Sequence, residues 1–140
     1  MKRAILIMWS FCAFLPLVAQ PDSNKIFLPN AEKSSPKKIY MQVELMPEFP
    51  GGGDSLEIWI ATNSRIPTVN NRKKGTTIYY QLVIDKKGNA GEVEFIHGGT
   101  NSQREEIIRL IESMPRWTPG LHEGKAKNVG IVMETTFKES

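Results

Sequence analysis

Two imidazoles, two serines beside helical segments, a run of three glycines and a pair of adjacent carboxylates are the groups with which this chain could do chemistry. A metal site needs three or more converging donors, and His97 and His122 lack the i, i+4 spacing that puts two ligands on one helical face. Both read as surface residues, one at a strand end and one in a glycine-flanked loop. Ser102 and Ser113 lack the Gly-x-Ser-x-Gly turn that exposes a nucleophile. Gly51-Gly52-Gly53 precedes a helix, but no strand leads into it with Gly-x-Gly-x-x-Gly and no Lys-Ser/Thr follows, so a phosphate cradle is not supported. Glu105-Glu106 suits the electropositive first turn of a helix better than acid–base work. The expectation is a binding protein, with no enzymatic activity, no cofactor and no metal.

Composition narrows the classes further. The chain has 140 residues, 40% hydrophobic and 24% charged, enough for one packed domain. Of its 18 basic residues, Lys2 and Arg3 belong to an N-terminal segment, and the rest nearly balance 15 acidic ones, which gives no electrostatic case for nucleic acid. Lys2-Arg3, the apolar run from Ala4 to Val18 and Leu17-Val18-Ala19 before Gln20 have the layout of a signal peptide over residues 1–19. The run is shorter than the roughly 20 residues that usually span a bilayer, and Pro16 lies near its end. The single cysteine, Cys12, falls inside it, so the chain after cleavage would have no disulfide, no thiolate and no Cys-ligated zinc. The expected fate is export from the cytoplasm, with an uncleaved membrane anchor as the alternative.

Residues 20–43 are polar and broken by Pro21, Pro29 and Pro36, which reads as a linker or loosely ordered arm. Ile39 to Leu45 alternates weakly, as a short edge strand would. The domain is expected over 44–140. Asp54 with Glu57, and Ser102 with Glu105, have the spacing of capping boxes. The first predicts a helix with Leu56, Trp59, Ile60 and Asn63 on one face, closed at Ile66-Pro67. The second predicts a helix burying Ile107, Ile108, Ile111 and Met114 and ending at Pro115. Between them, Thr76–Asp85 is the clearest strand, with Ile78, Tyr80, Leu82 and Ile84 on one face. A turn at Asp85–Asn89 returns it into Glu92–His97, with Val93 and Phe95 inward. Val129 to Phe137 alternates again, with Val129, Ile131, Met133, Thr135 and Phe137 sharing a face. These elements predict an α+β fold with two helices packed on one face of a three-stranded antiparallel sheet.

Three stretches of sequence occur together: Met46-Pro47-Glu48-Phe49-Pro50-Gly51-Gly52 before the first helix, Asp85-Lys86-Lys87-Gly88 between strands, and Ser113-Met114-Pro115-Arg116-Trp117-Thr118-Pro119-Gly120 after the second helix. Their order and spacing resemble the TonB C-terminal domain family of Gram-negative envelope proteins, over roughly residues 44 to 138. The late Gly124-Lys125 is also similar to the family's Asn-Gly-Lys step, whereas Ile66-Pro67 stands where Tyr-Pro is frequent. The resemblance implies the same three-stranded fold and a contact in which a peptide of a partner adds to the edge of the sheet. Carried onto this chain, the receiving edge is the last strand: Val129, Gly130, Ile131, Val132, Met133, Glu134, Thr135 and Thr136. The implied partner is an envelope protein, with a TonB-dependent outer-membrane transporter as one candidate. The alternatives are a membrane-anchored energy transducer with a short spacer and an accessory module that forms a homodimer through the same edge.

Overall fold

A computed structural model describes residues 25–29 and 38–139 of the chain. The signal-peptide reading of 1–19 lies outside the described residues. Among those described, no helix is long and apolar enough to cross a membrane.

The strands are β1 (Lys25–Phe27), β2 (Ile39–Tyr40), β3 (Gly75–Ile84), β4 (Ala90–His97), β5 (Leu121–His122), β6 (Lys125–Ala126) and β7 (Asn128–Lys138). The helices are α1 (Gly52–Asn63) and α2 (Asn101–Glu112). The fold is α+β, as its sequence predicts, but the sheet is larger than expected. It has five strands in the order β1-β4-β3-β7-β2 and is mixed, because β2 runs parallel to β7. The antiparallel centre β4-β3-β7 is the predicted part. β2 falls within Ile39–Leu45, read as a short edge strand, whereas β1 comes from the segment read as an arm. Its alternation Lys25-Ile26-Phe27-Leu28 is too brief to show a period, yet Ile26 packs on the core and Leu28 is buried within it. A separate hairpin pairs β5 with β6.

β3 forms the centre for a simple reason. Its ten residues are β-branched, aromatic or aliphatic at every second position, and Ile78, Tyr80, Leu82 and Ile84 are almost wholly withdrawn from water. They meet Val93 and Phe95 from β4, Phe137 from β7, Ile107 and Ile111 from α2, and the half-buried Leu56 and Trp59 from α1. Each such aliphatic side chain contributes about 1.5 to 3 kcal/mol by leaving water. Tyr80 is buried with them, its hydroxyl 3.2 Å from Thr135 Oγ1, and burial pushes its pKa up to about 12.

Both helix starts differ from the expected capping boxes. α2 is capped by Thr100, whose hydroxyl accepts from Gln103 N while the Gln103 side chain accepts from Thr100 N. Ser102 and Glu105 instead lie in its exposed first turns. α1 begins at Gly52 after Gly51 turns at φ 85°, with no side-chain cap, and Asp54 lies within its first turn. The glycines reverse the chain before Asp54 is reached, since only they accept positive φ at little cost.

Glu106, read from the sequence as part of a charged first turn, is buried. Its carboxylate accepts from Arg65 N at 2.6 Å and from Arg109 Nη2 and Nε at 2.6 and 2.9 Å, while Arg109 Nη2 also donates to Asn63 O at 2.8 Å. The group therefore ties α2 to the last residue of α1. Arg109 holds the Glu106 carboxyl below its ordinary value of 4.5, with Arg65 N adding to the effect against the opposing cost of burial. Glu106→Ala is expected to cost about 2 to 3 kcal/mol at pH 7, because it leaves a peptide N–H and a guanidinium without their acceptor. A depressed carboxyl pKa gives stability that is present above 4.5 and lost as pH falls through the folded value. Urea midpoints of the two proteins should therefore converge as pH is lowered below 4.5; a gap that does not change with pH would contradict the ion pair.

Candidate peptide-binding edge

β7 alternates as its sequence requires. Val129, Thr135 and Phe137 are buried on the helix side, and Ile131 and Met133 on the same side are only half-buried. On the other side Gly130, Val132, Glu134 and Thr136 line the face of the sheet away from the helices. Val132 is 60% exposed. Glu134 accepts from both Arg72 Nε (2.8 Å) and Arg72 Nη2 (2.5 Å), a paired arrangement that raises the guanidinium pKa and sets it 6.0 Å from the Tyr79 ring centre. The Thr136 hydroxyl lies 2.9 Å from that of Thr77.

One flank of β7 is fully occupied by β3, from Val129 opposite Ile84 to Lys138 opposite Gly75. The other flank is occupied only at its ends. At the start, Ile39 and Tyr40 lie beside Asn128 and Val129. At the finish, Val69 N donates to Thr136 O at 2.9 Å and Lys138 N donates to Pro67 O at 2.7 Å. Thus β7 is not the outermost strand, and Val129 and Thr136, at either end of the predicted receiving edge, already have outer partners. The parallel pairing of Tyr40 with Val129 sets the Gly130 N–H against Tyr40 O, and among the described residues none pairs with the outer flank of Ile131 to Thr135. Because Thr136 and Lys138 turn main-chain groups outward, the two-residue alternation turns outward those of Gly130, Val132 and Glu134 as well. The open stretch is five residues, or about 17 Å at strand rise.

The reason this stretch is open lies in the chain that follows β2. Leu45 and Leu121 exchange main-chain bonds of 3.1 and 2.8 Å, and Glu48 and Thr118 bonds of 3.0 and 2.8 Å. These pairings draw residues 41–48 away from β7 after Tyr40. Gly130 permits the last close approach: a Cβ there would stand 2.8 Å from Met41 Sδ and 3.3 Å from Ile39 Cγ2.

Beside the finish of the open stretch is a cavity of about 200 Å³ lined by Glu57 and Ile60 of α1, Thr68–Asn70, Arg72 and Glu134–Thr136. Its polar groups were missed as a set in the sequence, since they come from three segments with no shared spacing.

The other candidates stay apart. His97 is exposed at the end of β4. His122 lies in β5 against the Tyr40 ring (centroids 5.4 Å), its Nδ1 buried without a hydrogen bond and 3.9 Å from Glu44. Ser113 Oγ donates to carbonyls of α2. Among the described residues no three His, Cys, Asp or Glu converge to hold a metal. Compared with protein-family models, curated proteins and solved structures, the chain matches none.

Proposed function

We propose that this protein is an envelope binding domain, similar to TonB C-terminal domains, that captures an extended peptide segment of another envelope protein by adding it to β7. The segment pairs with the outer main chain of Val132 and Glu134 and with the Gly130 carbonyl, and leaves side-chain chemistry to set preference. One observation carries the reading: among the described residues, a strand paired at both ends of its outer flank has about five residues between them without a main-chain partner. Unpaired N–H and C=O groups in a row are a template for a further strand, and the ends fix its length. A TonB-dependent transporter is one source of such a segment. The reading asks nothing of a catalytic group, and no force transmission follows from it.

A photocrosslinking side chain in place of Val132, activated in intact envelopes, tests the proposal. The expected adduct is a short extended segment of another envelope protein. Adducts only to a second copy of this chain would favour the self-associating module, and no adduct at all would remove the reading.

A further inference from the structure

The cavity at the end of the open edge points to a preference in what is bound. It is lined by two carboxylates, Glu57 and Glu134, against one guanidinium, Arg72. Arg72 is already committed to Glu134 through two hydrogen bonds. Glu57, three residues before Ile60 on α1, has no hydrogen bond or ion pair to another described residue, so the lining keeps one unneutralised negative charge. The floor is apolar, formed by Ile60. We infer that the cavity takes a cationic side chain, lysine or arginine, of the added strand. This rests on the edge-pairing reading above.

The strand geometry supports the placement. A residue of the added strand opposite Met133 or Thr135 points to the helix side of the sheet, where Glu57 and Ile60 stand. The aliphatic stem of a lysine or arginine lies along Ile60 and brings its head to the Glu57 carboxylate. An acidic residue at that place would meet the Glu57 carboxylate and is disfavoured. The rest of the segment faces the half-buried Ile131 and Met133 on one side and the exposed Val132 on the other, so apolar or β-branched residues suit it.

The test uses fluorescein-labelled heptapeptides of alternating threonine and valine with one lysine at the first or the seventh position, which covers both strand directions. Matched peptides carry acetyl-lysine, which keeps the stem and removes the charge. Fluorescence anisotropy against the full protein is expected to show one lysine peptide bound about three- to fivefold more tightly than its acetylated match. In Glu57→Gln the ratio should fall to about one. Equal affinities in the unchanged protein, or a ratio that survives Glu57→Gln, would overturn the cationic preference and leave edge pairing standing. Binding by none of the four peptides would remove edge pairing, and this inference with it.

Discussion

Val132→Pro should weaken capture of a paired peptide by more than about tenfold while the domain stays folded, and Met133→Pro, one residue on, should unfold it. The difference follows from the direction of two N–H groups. Thr136 and Lys138 direct main-chain groups outward, to Val69 and Pro67, so Val132 does the same, and Met133 turns its own toward Tyr80 of β3. Proline at 132 removes an outward donor on a solvent-facing flank, where folded proteins tolerate it. The exposed valine side chain contributes little to the core. Proline at 133 instead removes a bond of the central β3–β7 ladder and sets its ring against β3, at a cost of about 3 kcal/mol or more. Thermal melts separate the two outcomes, and anisotropy with the lysine heptapeptides reads the binding of the folded variant. Undiminished binding by folded Val132→Pro would show that the peptide does not use this main chain. Unfolding of Val132→Pro would instead place its N–H in the β3 ladder and displace the open edge by one residue.

That pair of variants also separates what the sequence could disclose from what it could not. The alternation from Val129 to Phe137 is legible because nine residues carry a clear period of two, and the structure keeps the predicted faces. Ile78, Tyr80, Leu82 and Ile84 are legible for the same reason, and Asp85–Asn89 by its turn chemistry. Strand ends and partners are not local properties. β1 and β2 have three and two residues, too few for any period, and they become strands only because β4 and β7 offer edges to them. The limits of the open stretch are therefore invisible in β7 itself. They are set by Tyr40 and Val69, which lie 89 and 67 positions before their partners Val129 and Thr136. The start of α2 moved because Thr100-Asn101-Ser102-Gln103 contains two rival caps, and Thr100 with Gln103 closes a reciprocal box before Ser102 is reached. Glu106 breaks the rule that acidic residues face water, yet its place beside Ile107 and four before Leu110 put it on the apolar side, where a partner from another segment was required.

Gly88→Ala is expected to destabilise the fold by about 3 kcal/mol or more. Gly88 closes the β3–β4 turn at φ 85°, in the left-handed region that costs an alanine about 1 to 2 kcal/mol. Conformation is the smaller part. An added Cβ would stand 2.0 Å from Trp117 O and 3.0 Å from Trp117 C, and backbone cannot swing aside as a side chain can. The contact exists because Trp117 N donates to Gly88 O at 2.9 Å, which docks the turn on the segment after α2. That segment buries Trp117 edge-on against Phe49 and pairs through Thr118 and Leu121 with Glu48 and Leu45. Those same pairings lead the chain away from β7 beyond Tyr40, so the turn, the Trp117 segment and the open edge belong to one structural unit. Urea unfolding followed by tryptophan fluorescence measures the cost. A loss under about 1 kcal/mol would mean that the turn and the Trp117 segment yield independently, and that the open edge does not depend on their contact. A full loss, with residual binding of the lysine heptapeptide falling in step with the folded fraction, would place the edge under the control of that docking.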